Sequence, residues 1–331
     1  MKSYVDIEHK QRGIFIMLSI CIPTYNRHPY LKACLESIFQ GFDDYEYEVV
    51  IADGGSTDGT LDYLKSLDNV LLIEQGKLTG AVKAANECFR KASGDFIFLA
   101  TDDFEIFPNV IIKTCEIMAQ EPQLGLVGPK MQEIKHGNLH NVLLWLHPYW
   151  IVSPKIFIFQ RKVLQEVKYF DEMFRTYYAD VDIPLGVLKL GYSIAVTRDV
   201  GIIHHRIQDQ KINIAKAENI QKKNTEFEYS HLLNKWKSLE IVIDEYMSKH
   251  TLKMKKSLRY KRYAATMYHS KKFHPLLRAN PPISKWLYDW FLKKMVFFSD
   301  SRYDHLKSLF LVQKYPDEIL SVLSSLQGGD R

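Results

Sequence analysis

An α/β fold with a mainly parallel sheet and helices on both faces follows from two features of the first 205 residues. Short apolar runs alternate with stretches of helical period, and turns rich in glycine and aspartate punctuate them. Leu18-Ser-Ile-Cys-Ile-Pro23 reads as a buried strand entering a loop. In residues 29–40, Leu31, Leu35 and Ile38 recur at spacings of 4 and 3, a helix whose first turn accommodates Pro29. Glu48–Asp53 is the next strand, and Leu61, Leu64 and Leu67 mark a short helix beyond the Gly54–Gly59 turn. Val70–Ile73 is a third strand; Val82, Ala85 and Phe89 give another helix; Asp95–Ala100 is a fourth strand. Residues 104–178 are less regular, with an apolar aromatic stretch at Val142–Ile151 and a strand predicted at Lys155–Phe159. Residues 183–191 read as a helix ending at Gly191, and Ile194–Thr197 and Val200–His205 as separate strands or edge segments. In such sheets ligands bind beyond the carboxyl ends of the strands, which is where the polar clusters of this chain fall.

The 331 residues, 46% hydrophobic and 25% charged, have the balance of a folded globular protein and exclude a disordered or collagen-like chain. Cys21, Cys34, Cys88 and Cys115 form no C-x-x-C pair and read as reduced, buried thiols. The longest apolar runs, such as Ile14–Leu18 and Phe96–Ala100, fall well short of the roughly 18 residues that a spanning helix needs. Asp6, Glu8, Lys10 and Arg12 before a short apolar stretch do not make a secretory signal, so a cytoplasmic location is expected.

The net charge of +5 hides an asymmetry. Thr251–Phe310 holds 14 Lys and Arg against 3 Asp and Glu, so this stretch is +11 and the rest of the chain sums to 5 − 11 = −6. Two regions follow: 1–205, the α/β body, and 206–331, a mostly helical, basic and aromatic extension. In the latter, Leu232, Trp236, Leu239, Ile243 and Tyr246 form an apolar helical stripe, and Asn280-Pro-Pro282 precedes a second amphipathic segment, Ile283–Phe298.

Four clusters in the body carry chemistry. Asp53 enters Gly54-Gly-Ser-Thr-Asp-Gly59, a turn able to wrap a small ligand; a plain strand–helix turn with Asp58 as cap explains the same residues. Thr101-Asp102-Asp103 places two repelling carboxylates past a strand end. A divalent cation would relieve that repulsion, and a capping turn is the alternative. Asp180 and Asp182 either stabilise a helix N-terminus or supply a general base. His204-His205 closes the last strand of the body. The G-x-x-x-x-G-K-[ST] and G-x-G-x-x-G fingerprints are missing, which removes the usual NTPase and dehydrogenase readings.

The order of these clusters resembles the family 2 glycosyltransferases. The resemblance runs from Met17 to His205. It rests on Ile22-Pro-Thr-Tyr-Asn-Arg27, Val49-Val-Ile-Ala-Asp-Gly-Gly-Ser-Thr-Asp-Gly-Thr60, Gly80-x-x-Lys83-x-x-Asn86 and Gly94-Asp-Phe-Ile-Phe-Leu-Ala-Thr-Asp-Asp103. Phe170-Asp-Glu-x-Phe174, Tyr178-Ala-Asp-Val-Asp182, Lys189-Leu-Gly-Tyr192 and His204 complete it. The resemblance implies a GT-A fold and an inverting, metal-dependent transfer of a sugar from a UDP- or dTDP-linked donor. Pro23, Thr24, Tyr25 and Asn26 are implied to line the nucleobase and ribose pocket, with Asp53 bonded to the base and Lys83 near the diphosphate. Asp102 and Asp103 match the acidic motif that brings Mn²⁺ or Mg²⁺, with Asp103 the direct ligand. Asp180 matches the catalytic base, and His204, or else His205, a histidine holding metal or diphosphate. Two positions depart from the pattern: Ala100 stands at an earlier acidic position, and Ala179 replaces the Glu of the Glu-Asp motif.

The expected acceptor is a glycan or lipid-linked glycan in surface polysaccharide synthesis. A sugar-phosphate nucleotidyltransferase is a rival of similar fold, disfavoured by the lack of a Gly-rich, Arg-containing N-terminal loop. A non-catalytic nucleotide-sugar-binding or scaffold protein is a third reading. For the extension three roles stay open: packing on the body with a solvated basic face, docking on an anionic membrane surface at the inner face of the plasma membrane, and nucleic-acid binding. Lys271, Lys272, Lys285, Lys293 and Lys294 interleaved with Phe273, Trp286, Trp290, Phe297 and Phe298 suit the second.

Overall fold

The computed structural model describes residues 16–42, 45–133, 139–140, 143–146, 149–152, 156–175 and 178–205. Of the extension it describes 227–228, 230–232, 234–238, 310–313 and 320–322. The predicted alternation is realised as β1 (Leu18–Thr24), α1 (His28–Gly41), β2 (Tyr47–Asp53), α2 (Thr60–Lys65), β3 (Val70–Glu74), α3 (Ala81–Lys91) and β4 (Phe96–Leu99). Then follow β5 (Phe104–Ile106), α4 (Pro108–Gln120), β6 (Leu124–Glu133), β7 (Leu139–His140), β8 (Leu143–Leu146), β9 (Tyr149–Val152) and β10 (Ile158–Gln160). The last elements are α5 (Arg161–Glu166), α6 (Ala179–Lys189), β11 (Ser193–His204) and β12 (Phe310–Gln313).

One sheet runs in the order β12-β11-β6-β10-β4-β1-β2-β3, with β5 added to β11 and β7 to β6; β8 and β9 form a separate hairpin. β1 is parallel to both β2 and β4, and β2 to β3. β10 is antiparallel to both its neighbours, so β6 and the parallel β11 point the same way as β4. The chain order reverses at β1, which puts a topological switch point between β1 and β4.

Both faces of the central strands β1, β2 and β4 are covered, which is why these strands are mostly apolar rather than alternating with polar residues. Period-two geometry then sends neighbours to opposite cores. Leu18, Ile20, Ile22, Val49 and Ile51 pack with Leu31, Leu35 and Ile38 of α1 and with Ile111, Cys115 and Met118 of α4. Cys21, Val50 and Ala52 pack on the other side with Val82, Ala85 and Phe89 of α3, Leu164 of α5 and Leu185 and Leu188 of α6. All four cysteines are buried free thiols.

Several boundaries differ from the sequence expectation. The strand predicted at 155–159 is shorter and later, because Ile158–Gln160 is what fills the gap between β4 and β6. The two segments read at 194–197 and 200–205 are one strand, β11, interrupted by register shifts against β6 that break its apolar run. α6 starts four residues before the predicted 183 and holds Pro184 inside it, a residue that removes one backbone N–H donor from the helix and hides its true start from a sequence reading. The irregular region also hid α4, whose buried stripe of Ile111, Thr114, Cys115 and Met118 contains a polar member.

The described parts of the extension join the body. β12 pairs antiparallel with β11, and Leu232 and Trp236 enter the same core as α3 and α6. The rest of the apolar stripe (Leu239, Ile243, Tyr246) and the basic aromatic segment lie outside the described residues. Among the described residues, no helix is long and apolar enough to cross a membrane.

Candidate active site

Parallel strands bring their carboxyl ends to one edge, and the candidate residues collect there. Thr24 and Asp53 are register partners at the ends of β1 and β2. The Gly54 N–H donates to the Thr24 carbonyl (3.0 Å), and the Gln75 N–H to the Asp53 carbonyl (3.0 Å), so the turns after β1, β2 and β3 are tied together. Gly55 has φ +83°, and a Cβ on it would lie 2.8 Å from the carbonyl carbon of Gly76, so only glycine lets these two loops touch.

Asp53 is fully buried. Its Oδ2 accepts the Gly55 and Ser56 N–H groups, both at 2.9 Å, whereas its equally buried Oδ1 has no donor. Asn26, at φ 54°, clasps the same loop: its N–H donates to Ser56 Oγ, and its Oδ1 accepts the Thr57 N–H, both at 2.8 Å. Tyr25 and Leu78 are exposed and both reach the face of Gly54, while Pro23 is half-buried at the strand end. Asp58 does not form a side-chain cap on α2, whose N-cap is Gly59. It accepts instead from the Thr60 N–H and hydroxyl and from the His28 N–H.

Asp102 and Asp103 follow β4. Thr24 Oγ1 donates to Asp102 Oδ2 (2.8 Å), and Arg27 Nε lies 3.7 Å from the other oxygen. Burial outweighs both partners and raises the Asp102 carboxyl to about 6, with the Asp103 charge adding to the rise. Asp103 Oδ1 accepts from the Thr101 hydroxyl (2.9 Å), and its Oδ2 lies 3.3 Å from Nε2 of His204. That approach comes from the antiparallel pairing of β5 with the end of β11, which sets His204 opposite Phe104. His205 points elsewhere, with Nε2 3.3 Å from Glu105, so of the two histidines His204 faces the acidic motif. Ala100 is fully enclosed in the core, with its N–H bonded to the Cys21 carbonyl; the earlier acidic position of the pattern is here a packing position.

Asp103 and His204 are a hard carboxylate and an imidazole. Among the described residues no three His, Cys, Asp or Glu side chains form a cation-holding group. This donor set fits a divalent ion that takes its remaining ligands from water and a diphosphate rather than from a protein cage.

Lys83 and Asp180 reach the same edge through their helices. α3 follows β3, so its N-terminus, with Gly80 at φ +100° and Lys83 exposed in the first turn, lies at the carboxyl edge. α6 leads into β11 at the opposite edge, so its own first turn, with half-buried Asp180, is back at the carboxyl edge. Asp182, the second candidate in that motif, turns inward. Its carboxylate accepts from Lys235 Nζ and Trp236 Nε1, each at 2.8 Å, which leaves Asp180 as the acidic residue of this turn that is not sealed in. Asn86 serves the fold: its Oδ1 and Nδ2 bond the N–H and carbonyl of Phe170, fixing the 170–174 loop on α3.

Residues 19–182 match the model of the family described as Glycosyl transferase family 2. The chain carries a family 2 glycosyltransferase domain. Its fold is GT-A. Among relatives, it is 35% identical over 130 residues to the Methanococcus voltae dolichyl N-acetyl-alpha-D-glucosaminyl phosphate 3-beta-D-2,3-diacetamido-2,3-dideoxy-beta-D-glucuronosyltransferase, covering 36% of this chain and 40% of that protein. It is also 35% identical over 92 residues to the Staphylococcus aureus poly(ribitol-phosphate) beta-N-acetylglucosaminyltransferase TarS, covering 26% of this chain and 16% of that one. The matches thus span less than half the length of these relatives. The crystal structure of S. aureus TarS 1–349 shares the fold, with a TM-score of 0.50 and 17% identity over 95% of this chain and 92% of that one.

Sequence reasoning on this glycosyltransferase domain missed Arg27 as the partner of Asp102, and Lys235 and Trp236 as partners of Asp182. Arg27 stands at the end of the first motif, beside Asn26. Nothing in the helical stripe containing Trp236 announces that its indole N–H meets a carboxylate.

Proposed function

We propose that the protein transfers a sugar, with inversion, from a UDP- or dTDP-linked donor to an acceptor hydroxyl of a glycan or lipid-linked glycan in surface polymer synthesis. The observation that carries this reading is the convergence of Asp103 and His204 beside the Thr24–Asp102 contact, at the switch point of a GT-A sheet. The names of the curated relatives, which act on dolichyl-linked sugar and on poly(ribitol-phosphate), support the acceptor class.

In this reading Asp53 Oδ1, the buried acceptor without a donor, takes the imide N–H of the base. Asp53 is enclosed, so base entry requires side chains to part, and the exposed Tyr25 and Leu78 have room to do so. Pro23, Thr24 and Asn26 shape the rest of the pocket. The diphosphate meets Lys83 and the N–H groups of the first turn of α3. Asp103 and His204 would hold Mn²⁺ or Mg²⁺, which supplies Lewis-acid stabilisation of the departing diphosphate. Asp102 adds negative charge to that locus while anchored by Thr24 and Arg27. Asp180 accepts the proton of the attacking hydroxyl on the far side of the sugar. A single displacement with one base inverts the anomeric carbon.

The deciding experiment measures release of the nucleoside diphosphate (UDP or dTDP, according to the donor) from a panel of UDP- and dTDP-sugars with Mn²⁺, for the wild type and Asp180→Asn. Loss of the sole base should cost roughly 10²–10⁴ in kcat while nucleotide affinity stays within about twofold. A variant turning over at the wild-type rate would remove Asp180 from the chemistry. A wild type inert toward every donor would favour the non-catalytic binding reading.

A further inference from the structure

The helical residues within 227–238 grip the segment that carries Asp180 on both of its sides. On the N-terminal side, Asp171 Oδ2 is met by His231 Nε2 and Lys235 Nζ, each at 2.9 Å, and the Arg175 N–H donates to Glu228 Oε1 at 3.1 Å. Glu228 is itself only 1% exposed. On the C-terminal side, Lys235 Nζ and Trp236 Nε1 hold the two oxygens of Asp182, whose side chain is 5% exposed. Lys235 therefore bridges Asp171 and Asp182, and Phe174 packs beneath its ammonium at 5.9 Å. Between these anchors stands Tyr178 at φ 63°, a conformation costly for a non-glycine residue and maintained only where the surroundings impose it. Asp180 is two residues from that strained point and two from Asp182.

Simple attachment of a tail would need apolar contacts, and Leu232 and Trp236 supply them. Placing five polar anchors on the segment around one half-buried carboxylate is a different arrangement. Each anchor is a charged or buried hydrogen bond, and each loses much of its worth if displaced by an ångström.

We propose that residues 227–238 act as a brace that sets the position of Asp180, with Lys235 and Trp236 as positioning residues acting through Asp182. The proposal rests on the reading of Asp180 as the base. It makes Glu228, His231, Lys235 and Trp236, all beyond residue 205, support for the reaction centre.

The test uses the full chain and the donor found by the nucleotide-release screen. Trp236→Phe keeps an aromatic ring but removes the N–H donor; Lys235→Met keeps the stem but removes the ammonium; Lys235→Arg restores a cation. We expect kcat to fall tenfold or more in the first two, with donor KM and nucleotide affinity within twofold of wild type, and to recover most of its value in Lys235→Arg. A merely structural role would lower the melting temperature and leave kcat per folded molecule unchanged. If Asp180→Asn abolishes turnover while Trp236→Phe and Lys235→Met keep kcat within twofold, the brace proposal fails alone. If Asp180→Asn is fully active, the base assignment fails and takes the brace with it. Should Trp236→Phe not fold, Lys235→Met decides, because that side chain is a third exposed and its loss leaves the apolar packing in place.

Discussion

Nε2 of His204 lies 3.3 Å from Oδ2 of Asp103, although one residue ends the last strand of the body and the other follows the fourth. The contact exists because β5 turns back to pair with β11. If both side chains hold the cation, Asp103→Ala should lower Mn²⁺-dependent donor hydrolysis at least 100-fold, roughly the several kcal/mol a Lewis acid supplies. His204→Ala should lower it about tenfold. His205→Ala, whose ring faces Glu105, should change it less than twofold. Titration of Mn²⁺ by electron paramagnetic resonance gives the same ranking without turnover.

Asp53 offers a sharp substitution. Asp53→Asn can still accept from Gly55 and Ser56 through one oxygen, but it turns the unpartnered Oδ1 into an N–H₂ donor. A donor facing the imide N–H of uracil loses one hydrogen bond and creates a repulsion, together about 1–3 kcal/mol. Calorimetry should therefore show UDP affinity reduced about tenfold or more, with a change of less than 2 °C in melting temperature.

Asp102 makes stability depend on pH in metal-free buffer. Its folded carboxyl is raised by burial to about 6, so the native state holds the proton more tightly than the unfolded chain. Stability is therefore highest below the unfolded value near pH 4, falls as pH rises to about 6, and stays lower above. The penalty at neutral pH is about 3 kcal/mol, from 1.36 kcal/mol per pH unit. Asp102→Asn removes it: the variant should melt higher than the wild type at pH 7, and the gap should close by pH 4. A gap that widens on acidification would contradict the assignment.

Gly55 and Gly59 separate two effects of a side chain. Both have positive φ, but a Cβ on Gly55 would strike the Gly76 backbone at 2.8 Å, whereas one on Gly59 would meet nothing within 4 Å. Gly59→Ala should cost about 1 kcal/mol in denaturant unfolding, from backbone strain alone. Gly55→Ala should cost more, on the order of 2–3 kcal/mol, and weaken UDP binding because the β2 and β3 loops must separate.

The body's strand–helix order could be read from the chain because β1, β2 and β4 are largely buried on both faces and therefore mostly apolar. The helices α1 and α3 were equally readable, because their buried residues recur at helical spacing. α4 and β5 were missed, since Thr114 breaks the stripe of the first and the second has only three residues. The bulged β11 looked like two strands because its register shifts fall between two apolar runs. Asp53, Asp102, Asp103, Asp180 and His204 were all found as motif positions, with their partners left open.

Residue type and spacing established the α/β class, the order of the polar clusters and the kind of chemistry those side chains suit, because burial and turn formation are local demands written along the chain. Pairing across distance was settled in three dimensions. That the ring of His204 and not that of His205 meets the Asp103 carboxylate follows from the β5–β11 register. That Asp182 is sealed while Asp180 stays half-buried follows from Lys235 and Trp236 arriving from another element. A carboxylate's role depends on what surrounds it, and those surroundings come from residues far away in the chain.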